Sequence, residues 1–190
     1  AGFSSAAEAS LVLKAASLGA TGGFSDINTV ANATTSVLNA YGLSADKAGA
    51  LVDGFIQTQN DGKIVLDEYA RNIGKLAPIA ASLGIPLNEV NGAIAAITAN
   101  GLPAEIAIRA LRSGIDRLAA PTKEANEILS KYGVQIDANT VANEGLEGSL
   151  KKLAKVTDKA DLQKLIGTEA GQALAPLLND LPKLERLILN

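Results

Sequence analysis

The stretch GIPLNEVNGAIAAITANGLPAEIAIRALRSGIDRLAAP, residues 84–121, reads as two helices joined by a very short link. Gly84 and Gly101 each follow a helical pattern and stand where a left-handed residue closes a helix. Ile85 and Leu102 come next as the apolar residue that folds back on the finished helix. Pro86 and Pro103 open the next helix, where a missing N–H costs nothing. Leu87, Val90, Ile94 and Ile97 share one face at 3.6-residue spacing, and so do Ile108, Leu111, Ile115 and Leu118. Ala93, Ala95, Ala96, Ala110 and Gly114 keep the remaining surface narrow, so that neighbouring backbones can approach closely. The segment is an αα-hairpin, and variants of its Gly–apolar–Ser/Pro joint recur along the chain.

On the N-terminal side, residues 4–18 form an Ala-rich helix with Leu11, Val12 and Leu18, ended by Gly19 and followed by a glycine turn over Ala20–Gly23. Ser25 or Asp26 caps a helix running to Tyr41, with Ile27, Val30, Val37 and Leu38 inward. That helix is rich in Asn and Thr, which are weak helix formers, so packing has to hold it. Gly42-Leu43-Ser44 repeats the joint, with Ser44 as N-cap. The next helix reaches about Gln59, with Ala48, Leu51, Val52, Phe55 and Ile56 as its stripe. Asn60-Asp61-Gly62-Lys63 reads as a turn. A helix from about Val65 to Leu83 follows, carrying Leu66, Tyr69, Ile73, Leu76 and Ile79 and bent by Pro78 inside it.

On the C-terminal side a helix runs from Pro121 to Tyr132, ended by Gly133 and Val134. Gln135 to Gly145 is polar and irregular, with a short extended piece over Val134–Ile136. Helices then cover Leu146–Val156, Ala160–Ile166, Thr168–Leu178 and Pro182–Leu189, kept short by Gly167, Gly171, Pro176 and Pro182. No strand of useful length is expected. The fold class is all-α: an Ala-rich multi-helix bundle of consecutive αα-hairpins, with about nine to eleven helices. Alanine concentrates in the first two thirds, lysine and glutamate in the last. The expected organisation is a main helical domain over 1–134, a polar linker over 135–145 and a short-helix subdomain over 146–190. Leu174, Leu177, Leu178, Leu181, Leu184, Leu187, Ile188 and Leu189 make the end very apolar, so it packs on the main domain or on something outside this sequence.

Composition narrows the chemistry. Of 190 residues, 47% are hydrophobic, enough for one sizeable core or two small ones. A net charge of −3 argues against a uniformly basic nucleic-acid grip and against a polybasic membrane anchor. Aromatics at 3% supply few stacking platforms for single strands. With no cysteine and no histidine there is no disulfide framework, no Ser-His-Asp or Cys-His pair and no ordinary zinc site. Catalysis would have to use paired carboxylates, lysine or a hard cation on oxygen ligands. Methionine is absent even at position 1, so the chain reads as a piece of something longer that begins with an Ala1-Gly2 remnant. Residues 1–18 lack the pattern of a signal peptide. The longest uncharged run, Val90 to Ala104, is broken by Asn91, Asn100, Gly101 and Pro103 and reads as core, not as a membrane span.

Gln57 to Glu68 has the frame of a calcium loop: with Gly62 at loop position 6, Asp61 falls at 5, Ile64 at 8 and Glu68 at 12. Positions 1 and 3 are Gln57 and Gln59, which bring no charge, so an inter-helix turn with helix-start acids is the stronger reading. Arg109, Arg112, Asp116 and Arg117 could meet phosphate or an acidic partner, but Arg112 and Asp116 are also an ordinary i,i+4 pair on a solvated face. Lys151, Lys152, Lys155, Lys159 and Lys164, diluted by Asp158 and Asp161, read the same way. The closest acid pairs, Asp67 with Glu68 and Glu144 with Glu147, come without a pocket signal. No GxxxxGK[ST], GxGxxG or HExxH occurs. No catalytic, cofactor-binding or metal-ligating residue is assigned, no cofactor is expected, and the chain is read as not an enzyme.

Asn39-Ala40-Tyr41-Gly42-Leu43, Asn60-Asp61-Gly62-Lys63 and Ala77-Pro78-Ile79-Ala80 follow one another along the chain. Ala99-Asn100-Gly101, Ala110-Leu111-Arg112, Ala119-Ala120-Pro121-Thr122-Lys123-Glu124-Ala125 and Tyr132-Gly133-Val134 continue the series. In this order they resemble the core region of bacteriophage tail tape-measure proteins, also called minor tail proteins. Leu165-Ile166-Gly167-Thr168-Glu169-Ala170 resembles a family segment in which Phe is usual before the glycine. The resemblance runs from about residue 20 to 180, and its departures are Leu102-Pro103 in place of a glycine-rich joint and Ile166 in place of Phe. It implies structural work in tail assembly, length determination and DNA ejection, in the tail lumen or tip and in the host cytoplasm during assembly. The partners it implies are tube, tip or baseplate proteins, assembly chaperones or a second copy, with no specific nucleic acid and no membrane span. Two other readings stand beside it: a helical adaptor unrelated to tails, and a carboxylate-dependent cell-wall hydrolase module, which would need two facing acids in a deep cleft.

Overall fold

A computed structural model describes residues 5–189. Among them the elements are α1 (Ala6–Gly22), α2 (Ile27–Tyr41), a single 3₁₀ turn (Ala45–Lys47), α3 (Ala48–Gly62), α4 (Leu66–Ile73), α5 (Ala77–Ser82), α6 (Leu87–Thr98), α7 (Ala104–Ala119), α8 (Lys123–Lys131), α9 (Ala138–Leu153), α10 (Lys159–Ile166), α11 (Thr168–Asn179) and α12 (Leu181–Leu189). No strand occurs among the described residues, so the chain is all-α as expected. The Ala1-Gly2 remnant, and the start of the first helix at Ser4, lie outside the described residues.

The α6–α7 hairpin forms as its sequence dictates. Gly84 and Gly101 take φ of 70° and 92°, and the Ile85 N–H reaches back to the Ala80 carbonyl at 2.9 Å. Helix α6 is enclosed: from Val90 to Thr98 only Asn91 is not fully buried. A helix apolar all round belongs at the centre of a bundle. It packs against α3, α7, α11 and α12, while α7 in turn carries α4, α9, α10 and α11. The N-terminal helices α1, α2 and α3 close on one another, and α2 reaches α4 and α5. Buried residues from Val12 to Ile188 form one continuous cluster. The apolar C-terminal end is largely covered from within the chain: Leu174, Leu177, Leu184 and Ile188 are buried, and the Ile188 carbonyl accepts from Asn88 Nδ2 of α6 at 3.2 Å.

Four local expectations are corrected. First, Gly19 does not end α1, which continues to Gly22; a Cβ on Gly19 would lie 2.3 Å from Val52 Cγ1, so the glycine serves the crossing of α1 with α3. Second, Gly62 is the last residue of α3, and Lys63 takes the left-handed φ of 57° instead. A Cβ on Gly62 would stand 2.4 Å from Thr98 Oγ1 and 3.0 Å from Ala95 Cα, so its missing side chain lets α3 lie against α6. Third, Pro78 does not bend one long helix. Helix α4 ends at Ile73, and Pro78 sits in the first turn of the separate α5, where its lacking N–H is harmless. Fourth, most of Gln135–Gly145 is helical: Asp137 caps α9 by accepting from Thr140 N at 2.8 Å. The split into α4 and α5 brings the count to twelve α-helices among the described residues. On the surface, Leu11 and Leu18 of α1 and Ile27 of α2 are exposed, and Val12, Ala15 and Ala16 carry the contact of α1 instead.

Helix α9 is broken in the middle. Gly145 has φ 70° and ψ −172°, so the chain leaves the helix for one residue and starts again. The fresh N-terminus at Leu146 has no cap of its own, because glycine offers no side chain. Glu89 of α6 supplies one: its Oε2 accepts from Leu146 N at 2.6 Å and from Glu147 N at 3.0 Å. A Cβ at position 145 would lie 2.6 Å from that carboxylate.

G62A is expected to cost about 1–3 kcal/mol in urea denaturation, since α3 and α6 must separate to admit a methyl. G49A, on the same helix with nothing within 4 Å, is expected to stabilise by about 0.5–1 kcal/mol. E89A is expected to cost about 1–2 kcal/mol. Combined with G145A its effect is to be less than additive, because both changes break the same cap.

Candidate functional site

The acids noticed in the sequence do not meet. Asp67 accepts from Arg71 Nε at 2.6 Å and from Ser25 Oγ at 3.2 Å, while its neighbour Glu68 faces the start of α7, 3.4 Å from Glu105 N. Glu144 pairs with Lys152 at 2.5 Å; Glu147 pairs with Lys151 at 2.6 Å, and Lys151 also meets Glu185 of α12 at 2.6 Å. The calcium-loop frame is given over to local bonds: Gln57 Nε2 donates to Asp61 at 2.9 Å, and Gln59 Oε1 accepts from Leu66 N at 2.6 Å. Among the described residues no three acidic side chains gather as a metal would require.

The cations do not act as one patch, and several are taken by acids. Arg109 donates through Nε at 2.8 Å and through Nη2 to Glu169 Oε1 on α11. The i,i+4 pair expected between Arg112 and Asp116 does not form; Arg112 instead lines a small cavity with Lys75 and Arg109. Arg117 lies over Gly167, whose absent Cβ would come 3.4 Å from the guanidinium carbon. Lys131 and the Tyr132 hydroxyl both donate to Asp161, at 2.7 and 2.9 Å. These pairs are mostly exposed and of small individual worth.

The buried polar groups are satisfied. Tyr69, fully enclosed beside Phe55, donates to Asn91 Oδ1 at 2.7 Å, and Tyr41 donates to the Ile85 carbonyl at 3.1 Å. Burial pushes the Tyr69 phenol well up, and burial with the nearby Glu89 charge pushes Tyr41 up to about 12. No buried side-chain polar atom lacks a partner among the described residues.

What the fold leaves open is surface. Phe24 is 95% exposed and holds a left-handed φ of 52°, a costly conformation for an aromatic residue. Its neighbours place it at the start of α4: Gly23 abuts Leu66 and Ser25 bonds Asp67, while Val65, just ahead of α4, is itself exposed. Val65 also borders an open cleft of about 570 Å³ lined by Ile64, Thr98, Gly101, Leu102 and Pro103. The α1–α2, α3–α4 and α6–α7 turns thus lie at one end of the bundle. A second cleft of about 500 Å³ lies between the end of α9, α10 and α11, with Val156, Leu162, Ala175 and Leu178 among its walls. Sequence reading did not single out Phe24; its signal was an aromatic directly after Gly22-Gly23 in a chain with three phenylalanines. No described helix is long and apolar enough to cross a membrane.

Among the described residues the site is a close-packed helical body whose open features are surface clefts. The chain belongs to the family described as phage-related minor tail protein, whose sequence model matches residues 1–181. It is 31% identical over 115 residues to the tape measure protein of Pneumococcus phage Dp-1, covering 60% of this chain and 10% of that protein. It is also 31% identical over 68 residues to a probable tape measure protein of Clostridium phage phiCD119, covering 36% of this chain and 7% of that protein. The matched region therefore spans a tenth or less of these curated relatives. No solved structure matches the chain. The family description names a part of the phage tail.

Acid should loosen the surface lattice of pairs. Arg71 holds the Asp67 carboxyl below its usual 3.8, the Thr140 N–H does so for Asp137, and Lys131 with Tyr132 does so for Asp161. Folded values below unfolded ones mean that the stabilisation is present above the unfolded pKa and is lost as pH falls through the folded values. The thermal midpoint is expected to be flat above about pH 5 and to drop below about pH 4, with a shallower drop in D137N.

Proposed function

We propose that this chain is a folded module of a tape-measure-type tail protein, acting in tail assembly, length determination and DNA ejection through helix-face contacts with other tail proteins. The observation that carries the reading, beside family membership, is the enclosure of α6 on all sides, which makes the chain a compact body. A compact body contributes contacts to a tail and contributes little to a linear ruler. The surfaces suited to such contacts are the turn end around Phe24, Val65 and Leu102, and the cleft between α10 and α11. Tube, tip or baseplate proteins, assembly chaperones and a second copy are the partners in view. The module would reside in the tail lumen or tip, and in the host cytoplasm while tails are built.

An in-frame deletion of the segment in its parent gene, with tail lengths read by electron microscopy, tests this. Absent tails, or non-infectious tails of unchanged length, are expected. A fully helical, extended segment would span about 285 Å at ~1.5 Å per residue. Tails shortened by that amount would make the segment part of the ruler and overturn the compact-module reading. Infectious tails of full length would remove the segment from assembly altogether.

A further inference from the structure

The small cavity between the α4–α5 turn and α7 is built differently from the rest of the surface. It holds about 120 Å³ and is lined by Asn72, Lys75, Glu105, Ile108, Arg109 and Arg112. Ile108, almost fully buried, lines it from α7 together with the exposed Arg109 and Arg112, which follow it one and four residues on. Asn72 and Lys75 come from the opposite wall. Asn72 is buried and oriented by its own bond, Nδ2 donating to the Glu68 carbonyl at 2.9 Å; its Oδ1 then accepts from Lys75 Nζ at 2.8 Å. The ammonium is thereby steered by a neutral acceptor that leaves its charge unopposed.

The donors outnumber the acceptors. Arg109 spends Nε and Nη2 on Glu169, which leaves Nη1. Among the described residues no side chain or carbonyl accepts from Arg112. Lys75 retains two of its three N–H donors. Against these stands one lining carboxylate, Glu105. A ligand that completes this set has acceptors only, is small and is negative. We propose that the cavity is a phosphate-type oxyanion site, with Arg112 and Lys75 as its principal donors and Arg109 as a third. Guanidinium groups on α7 and an ammonium on the α4–α5 turn lining one cavity suit an oxyanion, whose oxygens take several charge-assisted hydrogen bonds at once. The volume admits one such group and excludes a nucleotide or a sugar, so the anion is either free phosphate or the terminal phosphate of a larger molecule that stays outside.

The test is a titration of the 190-residue chain with sodium phosphate, against sodium chloride at matched ionic strength, followed by the Asn72 side-chain amide and the Arg112 Nε–H in heteronuclear NMR. Saturable shifts confined to Asn72, Lys75, Arg109 and Arg112 are expected, half-complete at about 1 mM. R112Q and K75Q should each weaken binding roughly tenfold, and the distant R186Q should leave it unchanged. E105Q should tighten it, an effect that a merely structural role for these residues would not produce. Binding of phenyl phosphate alongside inorganic phosphate would mark a presented phosphate, and binding of inorganic phosphate alone the free ion. Shifts that chloride reproduces, shifts that never saturate, or binding that survives R112Q and K75Q unaltered would overturn the proposal.

Discussion

Because α6 is enclosed by α3, α7, α11 and α12, every helix around it has to come close, and closeness is a matter of small side chains. Ala93, Ala95 and Ala96 thin α6 itself, and Gly62 thins the face that α3 brings to it. Gly92 does the same toward α12, since a Cβ there would stand 2.8 Å from Ile188 Cγ1. With aromatics so scarce, the core cannot gain contact from large rings and gains it from short interaxial distances instead. The alanine-rich composition and the enclosed central helix are thus one design seen at two levels.

Where a helix start lacks a capping side chain of its own, a carboxylate from elsewhere can take its place. Helix α7 begins after Pro103 and the second half of α9 after Gly145, and neither residue has a side chain able to accept from the first turn. Glu89 of α6 fills this role for α9 across 57 residues, and Glu68 of α4 faces the first turn of α7 across 37. These acids lock the order in which helices stack, because a cap given by a distant residue exists only when the two helices are correctly placed. Read locally, Glu68 and Glu89 are ordinary helix-start acids of their own helices; their other role depends on which helix end is brought to them.

The same distinction explains what was legible in the sequence. The hairpin joints at Gly84-Ile85-Pro86 and Gly101-Leu102-Pro103 were readable because every signal in them is local: a left-handed glycine, a returning apolar residue, a proline that starts a helix. The C-terminal helices, α10 over Lys159–Ile166 and α11 over Thr168–Asn179, fell within a residue of their expected bounds for the same reason. Gly19 and Gly62 misled because glycine serves two purposes that look alike in a string of letters. One is a positive φ at a turn; the other is an absent Cβ at a helix crossing, and only the partner helix tells them apart. Pro78 misled in a related way, since a proline that kinks a helix and one that begins a new helix differ only in whether the chain has already turned at Gly74-Lys75.

The surface features belong to this long-range class as well. Arg109 and Arg112 share a face of α7 with ordinary spacing, and nothing in that spacing separates them. The fold separates them by what it brings opposite: Glu169 of α11 takes Arg109, while Lys75 and the oriented Asn72 stand across from Arg112. Phe24 likewise becomes notable only when its left-handed backbone and its exposure are known together. In a chain without histidine or cysteine, such placements are where ordinary surface residues acquire a role from the helix that faces them. The surfaces can vary residue by residue while the small-residue contacts around α6 keep the body unchanged.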